Sequence, residues 1–261
     1  MHPMLNTAIK AARRGASILN RASFDLDKIS ITAQQFQRIK TDIEPFVFES
    51  ISETLQNAYP GHVIADSNSL SFPFSKEVEH LWVIQPLDGA INFIHGHTQY
   101  ALSITLIQRG VITHSLVYDP NRNDLFIASK GEGAFKNDKR IRVSKRHKIS
   151  DCLFASSNTA SKAEDLDTFF AQMQTLSKKS HGVVSLGCIS LDLANVATGQ
   201  IEGAFFKGLS LPEMLAGSLL ITEAGGIVGD YQGETRHLEN GELITANAKI
   251  YAQLLPILSV F

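Results

Sequence analysis

Apolar residues recur along the chain with two different periods, and the change of period marks out its elements. Leu5, Ala8, Ile9, Ala12, Gly15, Ile18 and Leu19 stand at helical spacing. Residues 3–21 therefore read as one amphipathic helix, with Pro3 in its first turn. Ile43, Val47, Ile51 and Leu55 form an i, i+4 stripe, which predicts a second helix over residues 43–58. Asp42 is its expected N-cap, with Pro45 in the first turn. After a short strand at residues 62–65, the apolar run from Leu81 to Ile84 reads as a buried strand that Pro86 stops, because proline brings no ladder N–H.

From there the pattern turns to strands. Residues 100–108 and 111–117 are predicted strands joined at Arg109-Gly110; residues 124–128 and 133–143 continue them, with Asn137-Asp138 as a turn. This succession predicts an antiparallel sheet. Past residue 151 strands and helices alternate. Helices are expected at 163–178, at 189–198 with Gly199 as its stop, from Pro212 to Glu223, and at 248–258. Strands are expected at 183–186, 201–206, 227–231 and 242–246. The reading is an α+β chain with an N-terminal subdomain over residues 1–150 and a C-terminal α/β subdomain over residues 151–261.

Composition narrows the classes. With 261 residues, 44% of them hydrophobic, the chain can bury a substantial core. A net charge of −2 gives no global pull toward nucleic acid or membrane. Arg13 and Arg14 interrupt the first apolar stretch, so no secretion signal is expected, and no run reaches the roughly 18 to 20 apolar residues of a membrane span. Two cysteines, Cys152 and Cys188, argue against a disulfide framework and suit a reducing cytoplasm. Lys136, Lys139, Arg140, Arg142, Lys145, Arg146 and Lys148 concentrate positive charge within residues 136–148, with Asp138 the only acid. Such a run is either a solvated surface or a contact for RNA or protein.

Candidate chemistry centres on Trp82-Val83-Ile84-Gln85-Pro86-Leu87-Asp88-Gly89-Ala90-Ile91-Asn92-Phe93. A strand, an Asp-Gly turn and a helix start can place side chains and backbone N–H groups on one ligand. The same layout is also that of an ordinary strand end followed by a turn. Cys188, at a predicted helix start, is either a thiol of lowered pKa or a small buried residue. His95 and His97 are metal ligands by type.

The central stretch resembles the first signature of the inositol monophosphatase family, D-P-[I/L]-D-G-T-x-N-F. The likeness runs nearly the whole chain and is nearest the family's bacterial SuhB branch. It is carried by Met1-His2-Pro3-Met4-Leu5-Asn6, Val117-Tyr118-Asp119-Pro120-Asn121-Arg122-Asn123-Asp124, Leu191-Asp192-Leu193-Ala194 and Thr222-Glu223-Ala224-Gly225-Gly226. The resemblance implies the family's layered αβαβα fold and hydrolysis of phosphate monoesters with Mg²⁺. Such sites need clustered carboxylates, because Mg²⁺ takes oxygen ligands.

Carried over position by position, that chemistry is mostly altered. The family's E-E pair falls on Asp66 and Ser67, its Lys on Gln34, and its T-x-x-D on Thr41-Asp42-Ile43-Glu44. The first signature aspartate falls on Gln85 and the second is kept as Asp88. The threonine that orients the attacking water is Ala90; the aspartate of the second signature is Glu213, just after Pro212; the substrate-binding glutamate is Phe206. The substrate-touching G-S pair is Gly187-Cys188, and the family places His95 and His97 outside the metal set. A weak metal remnant is expected at Asp66, Asp88 and Glu213 with the Leu87 carbonyl, and phosphate contacts at the backbone of Gly89 and Ala90. No intact catalytic set is expected, Asp66, Gln85 and Ala90 being the degenerate positions. The resemblance implies a protein-binding role such as antitermination of ribosomal RNA transcription, with Nus factors or RNA polymerase as partners. It also implies the dimer common among relatives. An active Mg²⁺-dependent inositol-1-monophosphatase, or a related sugar-phosphate phosphatase, is the alternative.

Overall fold

A computed structural model describes residues 2–26, 42–65, 70–158 and 163–261. Two sheets order the described chain. The first has seven strands in sequence order: β1 (Val63–Ala65), β2 (His80–Asp88), β3 (Ala101–Gln108), β4 (Val111–Asp119), β5 (Asp124–Ser129), β6 (Gly133–Lys136) and β7 (Lys139–Arg140). β1 pairs parallel with β2, and every later pair is antiparallel. The β3–β4 turn holds Arg109 and Gly110 at positive φ; Asn137 and Asp138 do the same between β6 and β7. Positive φ at both central residues matches the twist of a two-residue hairpin, so these dipeptides set the register.

The second sheet has the order β11 (Ile227–Gly229), β12 (Leu243–Ala246), β10 (Gly203–Phe206), β8 (Leu153–Ala155) and β9 (Gly182–Val184). Eight helices complete the described chain: α1 (Pro3–Leu26), α2 (Glu44–Ala58), α3 (Ala90–Ile94), α4 (Ala163–Ser177), α5 (Ile189–Ala197), α6 (Leu211–Glu223), α7 (His237–Asn240) and α8 (Ala248–Leu258). A 3₁₀ turn, Ile149–Asp151, precedes β8.

Alternation along the strands assigns the layers. Trp82 and Ile84 of β2 join Leu102, Ile104 and Leu106 of β3 in a core with Leu5, Ala12 and Leu19 of α1 and Val47, Ile51 and Leu55 of α2. The opposite face of the sheet, through Val117, Phe126 and Ala128, packs on α5 and α6. That same helical layer meets Ala204 and Phe206 of β10, while Phe205 points the other way into Phe154, Ile244, Ile250 and Leu254 beneath α8. The order is helix, sheet, helix, sheet, helix, which is the αβαβα layering. A strand buried on both faces reads as an unbroken apolar run, which explains Gly203 to Phe206; in β3, Leu102, Ile104 and Leu106 alternate with the buried Ser103 and Thr105.

Three local expectations are corrected. Pro86 does not end β2. The β2–β3 register shifts between Gln85 and Asp88: Gln85 opposes Ser103 and Asp88 opposes Ala101. Two residues, Pro86 and Leu87, thus face one, and a bulge asks no ladder N–H of the proline. Asp42 is not the cap of α2. The cap residue is Ile43, already helical at φ −80° and ψ −52°, with no side-chain cap bond. The strand expected over 133–143 stops at Arg140, after which Val143 N–H donates to the Ala224 carbonyl and ties the chain to the end of α6.

His237, in α7, carries a pH-dependent share of stability. Burial lowers its pKa from the ordinary value, with Asp230 acting weakly the other way. The folded state therefore binds fewer protons than the unfolded one just below pH 6.5, and stability falls as pH drops through the folded pKa. In denaturant unfolding, His237→Gln is expected to lose least relative to the natural protein at acid pH. The gap should widen as pH rises through about 6.5. A difference that does not change between pH 5 and 7.5 would contradict this.

Candidate functional site

The bulge at the end of β2 re-aims the chain. Leu87 and Asp88 are both buried, although they are adjacent in a strand. Gly89 follows at φ +83°, the left-handed residue that caps α3, and Ala90 is the first helical residue. A Cβ at Gly89 would stand 2.7 Å from the Gln99 carbonyl oxygen and 3.2 Å from the Tyr100 Cα. Only glycine suits both the dihedral and the space. Asn92, in α3, fixes the turn from the other side: its amide donates to the Gln99 carbonyl at 2.8 Å and to the Leu186 carbonyl at 2.7 Å. The Gly187-Cys188 pair is thereby held against the Asp88-Gly89 turn.

Asp88 is 6% exposed, and its Oδ2 accepts the backbone N–H of Ser190 at 2.6 Å, in the first turn of α5. Burial raises its pKa above the usual carboxylate range; the bonds from Ser190 oppose that, and the charge of Glu213 adds to it. Cys188 is the N-cap residue of α5, fully buried, with its thiol 3.6 Å from the Asp88 carbonyl oxygen. Burial, then Asp88, pushes that thiol well above its ordinary value. It is a packed residue and not an activated nucleophile.

The other altered positions have partners of their own. Gln85 turns its amide back on the strand and donates to the Leu87 carbonyl at 3.3 Å. Glu213 sits at the third position of α6, where its Oε2 accepts from Ser210 N–H at 2.7 Å and from the Ser210 hydroxyl at 2.6 Å. This is a capping box, which satisfies a helix start without any ligand. Phe206 is buried at the end of β10. His95 and His97 are exposed, and His97 Nδ1 accepts from Gln99 N–H at 3.3 Å. Gln34, Thr41, Asp66 and Ser67 lie outside the described residues.

One group escaped sequence reasoning. Asp192 is fully buried, and neither carboxylate oxygen makes a hydrogen bond of good geometry. Burial, then Asp88, raises its pKa well above the usual range, with the Ser157 hydroxyl acting the other way. A lone carboxylate in the apolar run Ile189-Ser190-Leu191-Asp192-Leu193-Ala194 was the available signal. Burial and the neighbouring Asp88 charge thus disfavour ionisation of Asp192. Among the described residues no three His, Cys, Asp or Glu side chains group to hold a metal ion. On those residues alone, the donors do not fit an Mg²⁺ centre: one carboxyl bound to Ser190, one carboxylate in a capping box and an amide facing a carbonyl.

Taken together, the layering and the strand-turn-helix between the sheets define a protein of the layered sugar-phosphatase fold. The chain belongs to the inositol monophosphatase family, whose sequence model matches residues 1–259. A putative Nus factor SuhB of Neisseria meningitidis serogroup B is 41% identical over 259 residues, spanning 99% of both chains. The Nus factor SuhB of Pseudomonas aeruginosa is 36% identical, over 98% of this chain and 95% of that protein. Among solved structures, the extragenic suppressor protein suhB of Bartonella henselae superimposes with a TM-score of 0.88 at 27% identity, covering 98% of both chains. The inositol monophosphatase of Anabaena superimposes with a TM-score of 0.82 at 28% identity, covering 97% of this chain and 94% of that one. No helix among the described residues is long and apolar enough to cross a membrane.

Proposed function

We propose that this protein acts as a SuhB-like binding protein of the transcription machinery, on a phosphatase scaffold whose hydrolytic chemistry is impaired. The observation that carries the reading is the Gln85 amide on the Leu87 carbonyl. The side chain that stands for a metal-binding aspartate brings no charge, and it occupies the backbone oxygen assigned to the cation. Of the expected metal remnant, Asp66, Asp88 and Glu213, the two that lie among the described residues, Asp88 and Glu213, each have a protein partner. Mg²⁺ binding is weak in this reading. The hydroxyl that would aim a water is absent at Ala90, and Phe206 offers a substrate hydroxyl no acceptor. A positioned acid or base is worth about 10² to 10⁴ in rate, so losing this one leaves hydrolysis slight.

The relatives are named Nus factors, which supports a partner in the transcription machinery, and Nus factors or RNA polymerase are the partners this reading expects. The basic segment supports a contact surface in a reduced form. Lys136 pairs with Asp124 at 2.7 Å, Arg146 pairs with Glu202 at 3.2 Å, and Arg142 donates to the Ile141 carbonyl at 3.1 Å. Arg140 lies over the Phe135 ring at 6.0 Å. Lys139, Lys145 and Lys148 are exposed. Those three lysines are the part of the cluster we assign to an RNA or acidic protein contact. Immobilised protein is expected to retain a Nus factor or a polymerase subunit from lysate. Lys139→Glu with Lys145→Glu should weaken that retention several-fold, and the effect should fade at high salt. Retention of neither class of partner would sink the proposal.

A further inference from the structure

Parallel pairing sets Val63 opposite Leu81 and Ile64 opposite Trp82, so His62, just before β1, falls beside His80 at the start of β2. Their imidazole rings stack there, 4.1 Å apart and within 6° of parallel. Tyr59, at the end of α2, stacks on His62 as well, at 4.7 Å and 9°. The Tyr59 hydroxyl lies 3.2 Å from the Thr7 hydroxyl of α1, so this corner ties both outer helices to the sheet. The Trp82 indole N–H donates to His62 Nδ1 at 3.0 Å. An indole nitrogen can only donate, so Nδ1 offers a lone pair and the neutral imidazole holds its proton on Nε2. Trp82 is 1% exposed, and His62 is the acceptor that keeps its N–H paired. His62 itself is half-buried, and a groove of about 640 Å³ along Tyr59, Gly61, Glu77 and His80 opens the stack to solvent.

We infer that this corner is a proton-operated latch: a proton added to His62 enters at Nδ1, displaces the Trp82 indole N–H, and opens the corner between α2 and β1 while both sheets stay folded. The imidazole becomes an imidazolium; the indole keeps its own proton and loses its acceptor. The new charge also stands against the His80 ring. The groups that face His62 act in opposite directions. Burial, then His80, lowers its pKa from the ordinary value, and Glu79 raises it. Glu79 is shared with Arg109 at 2.9 Å, and Glu77 lines the same groove. The folded pKa thus lies below the unfolded one. The stability held by the joint is present above about pH 6.5 and is lost as pH falls through the folded pKa. The latch uses neither Asp88, Glu213 nor the basic segment.

Trp82 is the only tryptophan of the chain, so a single indole N–H cross-peak in a ¹⁵N NMR spectrum of the full chain reports on this joint. Titrated from about pH 8 to 5, that cross-peak is expected to move upfield with one midpoint below about 6.5, while far-ultraviolet circular dichroism stays unchanged. His62→Gln keeps an acceptor oxygen for the indole and is expected to abolish the transition. His80→Gln should raise the midpoint and Glu79→Gln should lower it, which keeps the test decisive if the first variant does not fold. His237→Gln should leave the midpoint in place, separating the latch from the stability effect of that histidine. A cross-peak that does not move, a transition that survives His62→Gln, a midpoint indifferent to both neighbours, or an indole change seen only as the whole chain unfolds would overturn the inference.

Discussion

Gly89→Ala is expected to cost about 2–5 kcal/mol of folding stability, whereas Gly131→Ala should cost only about 1–2 kcal/mol. Both glycines are left-handed, at φ +83° and +81°, so alanine pays the same conformational penalty at each. They differ in space. A Cβ at position 131 meets nothing within 4 Å, while one at position 89 meets backbone atoms of Gln99 and Tyr100, which belong to the turn entering β3. Those atoms cannot rotate away like the end of a side chain. The surplus at Gly89 therefore measures the close approach that holds the Asp88 turn together. Paired denaturant melts of the two variants give the number. Equal losses would show that the turn has slack and that its geometry is not enforced by contact.

Adding Ala90→Thr to Gln85→Asp is expected to raise Mg²⁺ affinity at least about 10-fold and to raise phosphate release from inositol 1-phosphate much less. One carboxylate about 4 Å from a divalent ion is worth roughly 8 kcal/mol of gross Coulomb energy at an effective dielectric near 20, much of it offset by desolvation. The same change takes the Gln85 amide off the Leu87 carbonyl and leaves that oxygen to the cation. Activity lags because Phe206 still walls the substrate side and Glu213 is still engaged with Ser210. Calorimetric Mg²⁺ titration beside a phosphate-release assay decides the matter. Brisk, saturable turnover by the natural protein would make it a working phosphatase and remove the need for the binding reading. Unchanged Mg²⁺ affinity in the double variant would clear Gln85 of the loss.

Much of the architecture was legible because burial writes itself into periodicity. The stripe Ile43, Val47, Ile51 and Leu55 announced α2, and three of the four are fully buried against α1 and the first sheet. The helix over residues 248–258 has the predicted bounds, and Asn247 caps it through bonds to the N–H groups of Lys249 and Ile250. The two-residue turns at 109–110 and 137–138 followed from Gly110, Asn137 and Asp138, residue types that tolerate positive φ. Errors arose where a local rule met a tertiary one. Proline ends most strands, yet here a bulge removes the demand for its missing N–H. Aspartate is a good cap, yet the chain enters α2 already helical at Ile43.

The site divides in the same way. The resemblance alone led us to expect Gln85, Ala90 and Phe206 where the family has an acid, a hydroxyl and an acid, because charge and donor capacity are properties of the side chain. It determined equally that the Asp-Gly turn survives. Only the folded chain decided what the remaining groups do. Helix α5 brings the Ser190 N–H to Asp88 across about a hundred residues of sequence. It also buries Cys188 and Asp192 beside that carboxyl. Helix α6 occupies Glu213 in its own cap. The reason is physical: the type of a side chain is local, whereas its partners and its access to water are set by which distant segments the packing brings against it.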